Sequence, residues 1–177
     1  RTSLLLMVVS TVTTIVGGFL TAWFLTGETR WIKIARTLLL VPMVIAPVAV
    51  GTIWRLVLNT SFGPLNALLE WIGAGRPDWL GNPNLAIWSV IMADVWEWMP
   101  FVMIIYVAAI SAIDPSLLES AMMDGAGRWK TVVRIVIPLV MPATFLVLVF
   151  RVIDTFFAID IIYSLTYGGP GTSTYTA

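Results

Sequence analysis

Five charged side chains interrupt stretches that are otherwise apolar enough to be solvated by lipid. Asp94 and Glu97 break the run from 84 to 110, and Arg151, Asp154 and Asp160 break the run from 138 to 163. A charge near a bilayer centre is costly unless it is paired, hydrated or lining a cavity, so these groups are expected to face protein or a passage. Their chemistry is that of binding: carboxylates and a guanidinium exchange hydrogen bonds with hydroxyls, and flat rings stack on apolar sugar faces. Asp94, Glu97, Trp98, Arg151, Asp154 and Phe157 are therefore the candidate lining of a polar route, with Trp96 and Phe156 as further rings. A sugar, a polyol or a glycerol phosphate fits that inventory. Glu97 and Arg151 lie equally far from the starts of their runs at 84 and 138, so antiparallel helices set them at one depth and allow a pair. A local Arg151 and Asp154 contact at i,i+3, or a purely structural ion pair, is the competing reading. The same charges also suit a carrier driven by an ion gradient.

Covalent chemistry has little to work with. The chain has no cysteine and no histidine, which removes disulfides, thiolate nucleophiles and the usual zinc and haem ligands. No glycine-rich phosphate loop ending in Gly-Lys-Ser/Thr is present, so no ATP site is visible. Ten basic and ten acidic residues cancel, leaving no global field for nucleic acid. With 59% hydrophobic and 11% charged residues, the 177-residue chain needs lipid as a second solvent.

The elements that must position the charges are long helices. Residues 3–25 carry no charge and make about 34 Å of helix, enough to cross a bilayer alone. Gly17, Gly18 and Ala22 permit close contact with a neighbour. Runs 34–58, 84–110 and 138–163 complete four expected spans of an all-α, polytopic bundle, the second one kinked at Pro42 and Pro47. Between the second and third, Leu65, Leu68, Leu69 and Ile72 repeat at helical spacing, and Trp71 and Trp79 suit the headgroup boundary, which predicts a short interfacial helix. Arg30, Lys33, Arg36, Arg128, Lys130 and Arg134 fall in connections on one side, against Arg1 and Arg76 on the other, so segment 111–137 is expected in the cytoplasm. A chain opening on Arg rather than Met reads as an interior part of a longer polypeptide.

Segment 111–137 contains the compact, charged stretch ESAMMDGAG. Asp114 is an expected N-cap, Pro115 the first helical residue, and Leu117, Leu118, Ala121 and Met122 an apolar face. Gly125 and Gly127 supply the turn, and Arg128 to Ile137 form a second short helix. This helix, turn, helix projection reads either as an amphipathic hairpin on the headgroups or as a dock for a soluble partner.

The run ESAMMDGAGRWKTVVRIVIPLVMP (119–142) resembles the EAA loop of binding-protein-dependent ABC importer permeases: E-A-A, three residues, G, nine residues, I-x-L-P. Glu119, Ala121, Gly125, Ile135 and Pro138 match, while Ser120 and Ile137 replace the usual Ala and Leu. Asp124-Gly125-Ala126 is similar to the D-G-A of the carbohydrate-importing branch, as are Pro42, Gly63 with Leu65-Asn66, Trp79-Leu80, and Trp96 with Pro100-Phe101. LTYGGPG (165–171) resembles the L-T-x-G-G-P of the first of the two paired sugar permeases. The resemblance implies a type I importer transmembrane domain over 1–177, a central portion of the permease. It also implies a second homologous permease, two cytoplasmic ATPase subunits that carry ATP and Mg, and an extracytoplasmic solute-binding protein, in the plasma membrane of a bacterium or archaeon. This chain then holds no cofactor and is no enzyme. Glu119, Ser120, Ala121, Met122, Asp124 and Gly125 become the expected ATPase-coupling residues: Glu119 by a charged pair, Ala121 by a small seat, Gly125 by a bend, Asp124 by docking or by a local cap. An ABC permease for another small solute is the alternative within the class.

Overall fold

The computed structural model describes residues 2–156, 159–167 and 169–170, all helices and turns. Phe157 and parts of the 165–171 motif lie outside the described residues, as does the Phe156 side chain. Two helices are long and apolar enough to cross a membrane: α1 (Thr2–Phe24) and α6 (Pro83–Ser111). Asn82 starts α6 by accepting from the Asn84 amide at 2.9 Å, with Pro83 next, where its missing N–H is no loss. The small residues of α1 let the two helices meet. A Cβ on Gly18 would stand 2.5 Å from Val102 Cγ1, and one on Gly17 would stand 2.9 Å from Met99 Sδ. Ala22 is fully buried at the same seam.

Run 34–58 does not form one straight span. It divides into α2 (Arg30–Leu39), α3 (Val41–Val44) and α4 (Pro47–Val57), with a bend of 101° between Val44 and Pro47. Pro47 disfavours helical backbone in the residue before it, and both Ile45 and Ala46 are extended, with ψ of 137° and 140°. Arg36 does more than sit on a basic side: its Nε and Nη2 donate to the carbonyls of Leu25 (2.7 Å) and Gly27 (2.9 Å), satisfying the chain where α1 ends.

The expected short helix is α5 (Pro64–Trp71). Trp79 is held locally rather than left for a boundary, since its Nε1 donates at 2.9 Å to Oδ1 of buried Asn66. Segment 111–137 folds as α7 (Pro115–Met123), α8 (Arg128–Thr131), a π turn (Val132–Val136) and the start of α9 (Ile137–Leu139). Run 138–163 is likewise not a single straight helix. A 63° bend precedes α10 (Met141–Phe156), and α11 (Ile159–Thr166) extends past the expected end. Each of the two bent pairs passes the length and composition test for a span only when taken together.

The core has two centres. Leu6, Val50, Val90, Ile91, Ile161 and Leu165 join α1, α4, α6 and α11. Ala22, Val102, Met103, Tyr106, Val136 and Val140 join α1 and α6 to the π turn and the bend. Because α6 is 29 residues long, about 43 Å, α5 and α7 stand at opposite ends of the bundle.

Candidate functional site

Arg151 on α10 is fully enclosed and reaches two neighbouring helices. Its Nη2 donates to Asp94 on α6 and, at 2.9 Å, to Ser10 on α1, while Nη1 donates to Asp154 one turn along at 2.7 Å. Ser10 Oγ donates in turn to Asp94. The guanidinium also lies over the Trp98 ring, 5.6 Å from its centroid. A charge without water is tolerated when its donors are met by carboxylates and hydroxyls, and here both Nη nitrogens of Arg151 have such partners while Nε has none among the described residues.

The expected Glu97 and Arg151 pair is not formed. Equal depth holds for straight helices beginning at 84 and 138, whereas α10 begins at Met141 after a bend, and Ser10 of a third helix fixes Arg151 on Asp94. The local i,i+3 contact with Asp154 is present. Glu97 is 4% exposed, with no hydrogen bond or ion pair among the described residues.

Asp94, Glu97, Trp98 and Asp154 do come together, around a cavity of about 120 Å³ whose wall also includes Pro47 and Asp160. Arg151 sits behind that wall as counter-ion. Phe157 lies outside the described residues. Sequence reasoning missed Ser10, although Ser10 and Thr14, four residues apart on one helix face and both fully buried, carried a polar signal in an uncharged run. It also left Asp160 off the route, and nothing local marked Pro47 as part of the lining.

The second cluster is built by capping. Asp114 Oδ1 accepts from the Ser116 amide at 2.9 Å, and that backbone bond holds the Asp114 carboxyl below its usual range. α7 ends in a Schellman motif: Ala126 N–H bonds Ala121 O at 2.9 Å, Gly125 N–H bonds Met122 O at 3.0 Å, and Gly125 has φ +73°. Only glycine adopts that φ freely. The apolar face divides. Ala121 turns inward, whereas Leu117, Glu119, Ser120, Met122, Met123 and Asp124 are exposed. Among the described residues Asp124 makes no side-chain hydrogen bond, and it lines a cleft of about 380 Å³ with Ser120, Ala121, Arg134 and Pro138.

Two polar clusters at separate heights of an α6-centred bundle, one enclosed and one projecting beyond its end, suit a transport component. Residues 14–177 match the family described as binding-protein-dependent transport system inner membrane component. The chain belongs to this permease family. The permease is 36% identical over 141 residues to the trehalose/maltose transport system permease protein MalF of Thermococcus litoralis, a match over 80% of this chain and 48% of that one. It is 30% identical over 165 residues to the xylose/arabinose import permease protein XacH of Haloferax volcanii, covering 93% and 52%. A solved chain of a bacterial ABC transporter involved in the import of the acidic polysaccharide alginate superposes with a TM-score of 0.84 at 30% identity, over 98% of this permease and 64% of that chain. The permease thus spans about half the length of the curated relatives it matches.

Proposed function

We propose that this permease is a membrane-spanning subunit of an ATP-driven importer. In this reading it passes a sugar or related polyol, delivered by an extracytoplasmic solute-binding protein, through the bilayer. It crosses the plasma membrane four times in the described region, two of the crossings bent, with 111–137 in the cytoplasm. A second permease subunit completes the route, and two ATPase subunits supply the hydrolysis. The observation that carries the reading is α7: a doubly capped helix beyond the end of α6, with Glu119, Met122 and Met123 exposed on it and a cleft beside it. Capping holds the helix rigid, and rigid elements transmit force. Docking there can bias the transport cycle only by favouring one packing of the bundle over another. Asp94, Glu97, Trp98 and Asp154 then line the route, with hydroxyls of the solute as their partners.

The test is isolation of the permease with its partners. Co-purification of ATP-binding subunits, a second permease and solute-stimulated ATP turnover supports the reading. Gly125→Val, whose branched side chain resists the positive φ, should leave insertion intact and abolish ATP-coupled uptake. Stable insertion with no associated ATPase, or normal coupled uptake by Gly125→Val, contradicts it.

A further inference from the structure

A second cavity, of about 520 Å³, lies between α4 and α11, lined among others by Thr52, Arg55, Asp160, Tyr163, Ser164 and Tyr167. Asp160 also lines the inner polar pocket, so the two spaces share a wall. Arg55 and Tyr167 stand late in α4 and just past α11, which puts the larger space nearer the α5 end, away from α7. The sizes decide what each can hold. At about 30 Å³ per water, the inner 120 Å³ takes about four waters. Ligand pockets run from about 300 to 1,000 Å³, a range that includes the outer space and excludes the inner one. A ring-bearing solute therefore fits the outer cavity as it stands and the inner one only once that pocket widens.

The outer wall is already set for binding. The Arg55 guanidinium lies over the Tyr167 ring at 4.6 Å, and Tyr163 meets the same ring edge-on at 5.3 Å. Tyr167 has φ +54°, the one non-glycine residue with positive φ among the described residues. Such a backbone is uncommon for a bulky side chain and collects at ligand clamps. Thr52 and Ser164 donate to the carbonyls of Val48 (2.9 Å) and Asp160 (2.8 Å), so what they offer a ligand is acceptor capacity. Arg55 donates, and the two phenols do either.

We propose that this cavity is the receiving site for a hydroxyl-rich ring solute, occupied before the inner pocket, with Asp160 at the passage between them. The proposal rests on the transport reading. The tyrosine rings take apolar ring faces, while Arg55, Asp160 and the hydroxyls take solute hydroxyls. The 177 residues contain no cysteine, and once any cysteine elsewhere in the importer is replaced by serine an introduced thiol is a clean probe. The complete importer in lipid vesicles is first screened for uptake of maltose, trehalose, xylose and arabinose. The transported sugar is then used to protect Thr52→Cys from a membrane-impermeant thiosulfonate, read from the mass of this chain, with Val48→Cys as a second position if Thr52→Cys fails to assemble. At least fivefold slower labelling is expected, with no change at a control Trp71→Cys on α5. Tyr163→Ala should raise the half-protecting concentration at least tenfold. Uptake with unchanged labelling at the cavity overturns the site and leaves the transport reading intact; uptake of none of the four sugars overturns the ring-solute site, and the transport reading falls with it only if sorbitol and glycerol are not taken up either.

Discussion

Asp94→Leu should destabilise the permease by about 3 kcal/mol, the lower end of the roughly 3–5 kcal/mol that breaking a buried ion pair costs. The lower end follows from the geometry. Arg151 has no exposure, and its Nη2 is shared between Asp94 and Ser10, while Nη1 keeps Asp154 at 2.7 Å. Losing Asp94 leaves the guanidinium one carboxylate instead of two, and leaves Ser10 without its acceptor. Pairing Asp94→Leu with Arg151→Met removes both members of the buried ion pair. Asp154 then stands alone, but its side chain is 25% exposed and lines the 120 Å³ pocket, which has room for about four waters. The double variant should therefore recover about 2 kcal/mol relative to the sum of the two single changes. Reversible unfolding in mixed micelles, followed by tryptophan emission, measures this, with Trp98 beside Arg151 as the local reporter. Two outcomes refute the reasoning: strict additivity of the single changes, or an Asp94→Leu protein as stable as the parent.

Three further predictions follow from close packing and from capping. Gly18→Ala should cost about 1–3 kcal/mol by overpacking, since the new Cβ meets Val102 at 2.5 Å and the Met103 amide at 3.2 Å; Val102→Ala in the same chain should restore most of the loss, measured by the same unfolding assay. At Gly125 the added Cβ meets nothing within 4 Å, so only φ +73° resists substitution; Gly125→Asn should keep ATPase binding within about twofold, whereas Gly125→Val should lose it. Because the Ser116 amide depresses the Asp114 carboxyl, the α7 cap is intact above the ordinary Asp range and is lost as pH falls through the lowered value. Hydrogen exchange of the α7 amides should show that acid loss in the parent and not in Asp114→Asn.

What the sequence made legible was decided by local signals. Charge-free length marked α1, and the Asp-Pro start of α7 and its glycine end rest on interactions within a few residues, so both caps read correctly. Proline likewise announced that 34–58 is interrupted. It could not announce 101°, because that angle is settled by what α4 packs against: Gly51 lies so close to α11 that a Cβ would stand 1.9 Å from Ser164 Oγ. The i,i+3 contact of Arg151 with Asp154 was legible, whereas its Asp94 partner was not, for the same reason. Depth counted along two ideal helices ignores the third, and Ser10 belongs to a helix whose register is fixed by Gly18 against Val102, far along the seam. Arg36 counted as a basic residue on one side, yet its bonds to the end of α1 are a tertiary fact.

The two clusters are joined by a succession of packed elements, from α7 through the π turn and the bend to α10. Val136 of the π turn and Val140 of the bend pack with Tyr106, whose hydroxyl donates to Thr144 at 2.9 Å in the first turn of α10. Arg151 lies about two turns beyond Thr144 on the same face, because seven residues nearly complete two turns of helix. An axial shift of α10 by a single residue, about 1.5 Å, is large against a hydrogen bond and would take Arg151 off Asp94 and Ser10. Tyr106 holds α10 at one end and the Asp94 network holds it in the middle, so small displacements are resisted at both and a larger one must release both together. In the proposed transport cycle, releasing both together would give the discrete pair of arrangements that coupling between distant sites requires, where a flexible linker would give a continuum. The π turn and the bend at Val140 are where such a displacement would be taken up, since the backbone there already departs from regular α-helix.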